Sequence, residues 1–352
     1  VAQTVLRYTL KQIIAKLQPD MKRIIECVPN FSEGINEATI SSITAAVKSV
    51  AGVKLLNVDL GKGANRTVIT FAGEPEAVVE AAYQAIKTAG ELIDMRTQKG
   101  EHPRMGATDV CPLIPVSNIT LDETAVYATQ LGKRVGEELQ IPVYLYEHAQ
   151  ANKQRSDLSV IRAGEYEGFF TKIKQPGWQP DYGPAEMNAK SGATVIGARD
   201  FLIAYNINLD TASTEIAHEI AQEIRSSGRM VAGSRVPGTL KYVKAIGWYI
   251  KEYGKAQVSM NLTNIVVTPI HVVFDEVCKK ANQHGIKVTG SELIGMIPLK
   301  AMLDAGQYFL NKQGSLSPTV TENELITVAC KAMGLDELAA FNPYDRIIEY
   351  LL

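Results

Sequence analysis

Residues 53–73, VKLLNVDLGKGANRTVITFAG, hold two strand-like runs separated by a glycine-rich turn. VKLLNVDL and RTVITFAG are dense in Val, Leu, Ile and Thr, and Gly61-Lys62-Gly63 punctuates the break between them. Apolar residues at helical spacing flank the pair, over residues 36 to about 50 before it and about 75 to 89 after it. Outside those helices lie two further strand-like runs, RIIECV at residues 23–28 and VCPLIPV at 110–116. The order is therefore β-α-β-β-α-β, the split βαβ layout of ferredoxin-like domains. A helix over residues 121–139 and a short strand, PVYLY, extend it.

The same order recurs downstream. FLIAYNIN, a helix over about 212–227, YVKAIGWYI, AQVSMNL, a helix over about 270–284 and IKVTG repeat the series, followed by helical stretches around 292–310 and 322–333. No self-similarity of sequence accompanies the repetition, so only the architecture recurs. The expected fold is α/β of the α+β kind: two ferredoxin-like βαββαβ subdomains with a ligand groove between them. Residues 1–20 form an N-terminal extension, 21–198 the first subdomain with a connector loop, and 199–352 the second. The connector, residues 147–198, is poor in strand signals and carries Pro176-Gly177, Gly183-Pro184 and Ser191-Gly192. A long loop inside a compact domain is commonly a ligand-site wall, the alternative being a plain linker. Its Arg155, Arg162, Trp178 and Tyr182 suit a flat, anionic heteroaromatic ligand.

Composition narrows the function. The 352 residues are 46% hydrophobic and 21% charged, enough for two packed cores. Thirty-six Lys plus Arg against 38 Asp plus Glu leave a net charge of −2, so no nucleic-acid partner is expected and any anion site is local. Cys27, Cys111, Cys278 and Cys330 lack C-x-x-C spacing, which argues against a metal site or a disulfide framework and fits a reducing cytoplasm. No apolar run is long enough to span a membrane, and no membrane partner is expected. The first 20 residues read as a basic amphipathic helix, with Lys11 and Lys16 interrupting any signal-peptide core. Gly61 to Thr67 lacks the spacing of a phosphate loop, and no nucleotide site is expected.

Residues 100–116, GEHPRMGATDVCPLIPV, place His102 on a loop stiffened by Pro103 and bounded by Gly100 and Gly106. An imidazole near neutral pKa in such a place either shuttles a proton or pairs with Glu101 or Asp109. His148, at the end of PVYLYE, is the second histidine of interest; His218, His271 and His284 lie on or at the ends of helices without a ligand partner at useful spacing.

The loop GEHPRMGATDVCPLIPV, with IIECVPNFSEG (24–34), NRTVITFAG (65–73), IRAGEYEG (161–168), GARDFLIAYNINL (197–209) and the terminal FNPYDRIIEYLL, closely resembles the glutamate formimidoyltransferase family. The resemblance runs from about Met21 to Leu352. It implies transfer of the formimidoyl group from N-formimidoyl-L-glutamate to N5 of tetrahydrofolate, the co-substrate, in histidine degradation. It also implies a cytoplasmic homodimer, with the cyclodeaminase that is fused to this domain in animals supplied as a separate protein.

The resemblance assigns His102 the role of general base and acid and places Asp59, at the end of VKLLNVDL, in the site; Asp59 is the candidate carboxylate partner of the imidazole, with Asp109 second. Without the resemblance, Asp59 reads as a strand-end turn residue. Arg66, Arg104 and Arg162 lie within the family-like motifs and are the candidate partners for substrate carboxylates. Residues Gly183, Pro184, Ala185, Glu186, Met187, Asn188, Ala189, Lys190, Ser191 and Gly192 occupy the position at which the family binds folate. The departures in Glu186-Met187-Asn188 from the animal form shift that expectation from side-chain to backbone contacts. Three rivals remain: an N-formylglutamate donor, a covalent route through Cys111 beside His102, and a folate-binding protein without catalysis.

Overall fold

The two runs of residues 53–73 form β3 (Val53–Gly61) and β4 (Arg66–Gly73), antiparallel neighbours in the computed structural model. The structure describes residues 22–61, 65–100, 103–251, 253–314 and 320–352, and the chain divides into two compact units between Arg199 and Asp200. The expected helix in residues 1–20 and His102 itself lie outside the described residues.

In the first unit, β1 (Ile24–Cys27) and β2 (Asn30–Phe31) lie in succession along one slot between β4 and β5 (Thr108–Ser117). The interruption at Val28-Pro29 falls opposite Cys111-Pro112, where β5 has no Pro112 N–H to offer. The order β3-β4-β1/β2-β5, antiparallel throughout, is the ferredoxin-like arrangement read from the sequence. Helices α1 (Glu37–Lys48), α2 (Pro75–Leu92) and α3 (Leu121–Leu139) start where their caps dictate. The Asn36 side chain accepts from the Ala38 and Thr39 amides, Pro75 opens α2, and Thr120 and Glu123 form a capping box. Ile43 and Val47 of α1, Val78, Ala82 and Ile86 of α2, and Leu131 and Val135 of α3 join Ile25, Cys27, Ile69, Phe71 and Leu113 of the sheet in one buried core. Each fully buried Leu or Ile there contributes about 1.5–3 kcal/mol.

Residues 147–198 carry more structure than their sequence signals. Two short helices, α4 (Leu158–Arg162) and α5 (Glu165–Lys172), occupy the middle, and the end forms β7 (Thr194–Ala198). β7 runs parallel to β5 on one side and to β6 (Val143–Glu147) on the other. All five β7 residues are buried, so it lacks the alternation that reveals half-exposed strands.

The second unit repeats the order. It contains β8 (Ile203–Leu209), α6 (Thr214–Ile224), a small hairpin of β9 (Arg229–Val231) and β10 (Ser234–Val236), β11 (Val243–Ile250), β12 (Lys255–Leu262), α7 (Ile270–Gln283) and β13 (Val288–Ile294). The sheet runs β11-β12-β8-β13, antiparallel throughout. The helix expected from residue 292 begins instead at α8 (Leu299–Lys312). Glu292 to Ile294 complete β13 against Ala204 to Asn206, and Pro298 keeps the backbone before α8 extended. Helix α9 (Glu322–Met333) lies where its capping box and Gly334 place it, and α10 (Pro343–Arg346) follows.

Candidate active site

Strand alternation gives the first sheet two unlike faces. Thr67, Ile69 and Phe71 of β4 point toward the helices, so Arg66, Val68 and Thr70 point away. Directly opposed residues share a face, and the register sets Asn30 and Asp59 opposite Val68, Asn57 opposite Thr70 and Glu26 opposite Ala72. The face remote from the helices therefore collects Glu26, Asn30, Asn57, Asp59 and Arg66. Asp59, exposed, sits diagonally across from Arg66, roughly 7–8 Å away in such ladders.

Asp109 enters this face through a β-bulge. Asn30 pairs with Val110 while the next residue, Phe31, pairs with Thr108, which leaves Asp109 as the extra residue of β5. Its fully buried carboxylate accepts from Arg66 Nη1 at 2.7 Å, pairs with Arg162 Nη2 at 2.8 Å and takes the Met105 amide at 3.0 Å. Arg66 Nε also donates to Asn30 Oδ1 at 3.1 Å. Burial pushes the Arg162 guanidinium below its ordinary range, against the pull of Asp109, and the nearby charge of Arg66 adds to the depression. Two guanidiniums share one carboxylate, and the three groups together carry one surplus positive charge. Arg162 Nε, also buried, has no hydrogen-bond partner. Such a cluster is poised to receive a carboxylate.

The sequence candidates separate on this geometry. Arg66 and Arg162 are brought together through Asp109, which thus serves the arginines rather than a histidine among the described residues. Arg104 turns elsewhere: its guanidinium reaches Glu167 at 2.8 Å, Glu165 at 3.3 Å and the Gln98 carbonyl at 3.0 Å. His148 pairs with Asp122 in the first turn of α3, on the surface. His271 stacks on Tyr308 at 4.6 Å, and His284 lies 3.7 Å from both Glu219 and Glu223. Among the described residues no group of His, Cys, Asp and Glu is arranged to hold a metal ion, and no helix is long and apolar enough to cross a membrane. The covalent route fails on placement. Cys111 is fully buried on the helix-packed face with its Sγ 3.5 Å from that of Cys27, whose thiol burial pushes upward.

Sequence reasoning overlooked the groups that hold the chain at Gln98 and Lys99 and at Arg104. Asn65, at φ 48°, accepts the Gly34 amide and donates to Gln98 Oε1 at 2.6 Å and to the Lys99 carbonyl at 2.8 Å. Glu33 takes the Ile35 and Asn36 amides at 2.8 Å each and Gln98 Nε2 at 2.9 Å. On the other side the Arg104 carbonyl accepts the Tyr166 amide at 2.8 Å. The chain is thus anchored immediately before and after residues 101–102. Asn65 and Glu33 both lie in the family-like motifs, the signal by which they were findable.

Residues 183–192 form a tied turn of the first unit. Gly183 (φ 82°) and Gly192 (φ 72°) lie where a Cβ would collide with the carbonyl oxygens of Ile141 and Met105, so packing within the unit already requires both glycines. Asn188 Oδ1 accepts the Lys190 and Ser191 amides at 3.0 Å, the Ser191 carbonyl accepts the Ala107 amide, and Tyr166 donates to the Ala189 carbonyl at 2.6 Å. Ala185, Glu186, Ala189 and Lys190 are exposed, Met187 is buried, and the buried Ser191 Oγ lacks a partner. The turn therefore stands beside the loop that leads from His102 into β5. Within the connector, Arg155 holds the Gly177 and Gln179 carbonyls and Asp181, an internal role.

Comparison with known proteins agrees along the chain. Residues 24–199 match the family described as "Formiminotransferase domain, N-terminal subdomain", and residues 204–352 match "Formiminotransferase domain". Formimidoyltransferase-cyclodeaminase of Gallus gallus is 49% identical over 332 residues, covering 94% of this chain and 60% of that protein. Glutamate formimidoyltransferase of Streptococcus pyogenes serotype M1 is 41% identical over 307 residues, covering 87% of this chain and 100% of that protein. Its counterpart in Thermoplasma acidophilum is 42% identical over 304 residues, covering 86% and 97%. The chain spans about 60% of the length of the bifunctional relatives it matches.

Proposed function

The chain belongs to the formiminotransferase family, and on that premise we propose that it transfers the formimidoyl group of N-formimidoyl-L-glutamate to N5 of tetrahydrofolate. Glutamate and 5-formimidoyltetrahydrofolate are the products. The observation that carries the reading is the Arg66–Asp109–Arg162 cluster, whose surplus cation suits a donor that brings carboxylates. Arg104, already facing two glutamates, holds the loop instead.

In the proposed chemistry, N5 of the pteridine attacks the amidine carbon and forms a tetrahedral adduct. His102 accepts the proton that N5 loses and returns a proton to the glutamate nitrogen as the bond from carbon to that nitrogen breaks. Asp59 orients the imidazole and stabilises its charged form, as carboxylates do in other histidine pairs; its place on the face of Arg66 supports this role. Folate lies against residues 183–192, where the exposed Ala185, Glu186, Ala189 and Lys190 offer contacts. The protein acts as a homodimer in the cytoplasm, in histidine degradation.

The test is turnover with two donors. Purified protein with tetrahydrofolate should release glutamate from N-formimidoyl-L-glutamate and leave N-formyl-L-glutamate at least roughly tenfold behind in kcat/KM, since replacing =NH by =O removes one hydrogen-bond donor. Preference for the formyl donor would replace the substrate, and folate binding without turnover on either would reduce the protein to a folate-binding one.

A further inference from the structure

Arg162 ends a helix of only five residues, too short to hold itself. Three carbonyls around its end are nevertheless claimed by one side chain. Lys172, the last residue of α5, donates its Nζ to the carbonyl oxygens of Val160 at 2.9 Å, Ile161 at 2.7 Å and Ala163 at 2.9 Å. An ammonium has three donors and no acceptor, so these three bonds satisfy it completely. They straddle Arg162 on both sides. The cation also complements the negative end of the α4 dipole. It lies 3.8 Å from the centre of the Trp178 ring and 5.0 Å from that of Phe169, two aromatic faces that attract the cation.

We propose that Lys172 is a positioning residue for the donor site: by fastening the end of α4 it holds the Arg162 guanidinium against Asp109, where the donor carboxylate is received. The inference rests on the formimidoyl-transfer reading for the identity of the donor, but its structural part does not. Burial lowers the Lys172 ammonium to about 8, so at neutral pH it still carries the charge that the three carbonyls require. Lysine fits here because its point cation on a flexible stem can gather three convergent carbonyls, which a planar guanidinium cannot.

The test compares wild type, Lys172→Met, Arg162→Gln and the double variant, using N-formimidoyl-L-glutamate with saturating tetrahydrofolate. Lys172→Met should raise the donor KM by about tenfold while kcat and the tetrahydrofolate KM move by less than about threefold, the signature of lost binding alone. In the Arg162→Gln background the same substitution should add less than about twofold, because its effect passes through Arg162. An unchanged donor KM, or an equal tenfold penalty in both backgrounds, would overturn the proposal. If Lys172→Met does not fold, Lys172→Gln, which keeps two of the three donors, carries the same comparison. Amide hydrogen exchange is measured on the same proteins. Faster exchange confined to residues 158–166 supports the proposal, and exchange equal to wild type there overturns it. Should wild type show no turnover with this donor, the functional reading falls while the exchange result still decides the role of Lys172.

Discussion

Asp109→Asn removes one charge and almost no volume from the centre of the candidate site. The native carboxylate, fully buried, faces two guanidiniums at 2.7 and 2.8 Å and one amide at 3.0 Å. A carboxamide can still accept from one of these donors, but its NH2 then faces a guanidinium, and two buried cations lose their shared counter-charge. Breaking a buried ion pair on one side costs about 3–5 kcal/mol. The Arg66 and Arg162 side chains retain 9% and 13% exposure, enough to reach some water, so the lower figure applies. About 3 kcal/mol on a unit of this size lowers Tm by roughly 6–12 °C. The protein has two tryptophans, Trp178 in the first unit and Trp248 in the second. In a Trp248→Phe background, urea unfolding followed by Trp178 fluorescence therefore reports the first unit alone. Lys133→Ala is the control: it and its partner Glu137 are 59% and 60% exposed, and pairs of that kind contribute about 0–1 kcal/mol. An Asp109→Asn penalty no larger than that of Lys133→Ala would refute the claim that the carboxylate restrains two buried cations.

Other outcomes follow from the same physics. His102→Ala should lower kcat by roughly 10²–10⁴ with folding intact, since proton transfer alone is lost; near-normal turnover at saturating substrate would remove its role. Gly192→Ala forces a side chain into φ 72° and against the Met105 carbonyl, for a loss of roughly 3 kcal/mol or more, whereas Gly177→Ala, at φ 80° in open space, should lose only about 1 kcal/mol. Equal melting temperatures for the two alanine variants would contradict that contrast. In the second unit, burial raises the Glu337 carboxyl, but hydrogen bonds from Lys255, Thr289 and Asn208 outweigh it and hold the group below the usual carboxylate range. A depressed folded-state pKa contributes stability above the unfolded value, about 4.3, and that contribution fades as pH falls through the folded one. The stability difference between wild type and Glu337→Gln should therefore shrink from pH 6 to pH 3 in denaturant titrations, and a constant difference would exclude the linkage.

Local chemistry explains what could be read in advance. Helices α3 and α9 lie over the expected residues because Thr120 with Glu123, and Thr321 with Glu324, are reciprocal caps written within four residues. The central strand pair of residues 53–73 was legible from β-branched density alone, and Asp59 and Arg66 follow onto one face by alternation. Strand β7 was not, since a fully buried parallel strand has no polar alternation, and Gly192 just before it and Gly197 within it read as loop. Asp109 was named only as a candidate partner of His102, and its contacts with Arg66 and Arg162 were not foreseen. Its role depends on a bulge set by strand register, and on arginines 43 and 53 residues away in sequence, neither of which a local pattern records. Nor was it legible that Gly183 and Gly192 are required by the carbonyls of Ile141 and Met105, which are distant in sequence but pack against them in the same unit.

Donor discrimination measures directly whether the buried pair of arginines receives a substrate carboxylate. We compare kcat/KM for N-formimidoyl-L-glutamate with that for its two monoamides, each lacking one carboxylate, in wild type and in Arg162→Gln. Wild type should favour the diacid over at least one monoamide by roughly 10²-fold, about 3 kcal/mol, consistent with a charge-assisted bidentate contact. In Arg162→Gln that preference should fall by about tenfold or more. A preference that survives the substitution unchanged would mean that the Arg66–Asp109–Arg162 cluster holds the fold together and receives no substrate.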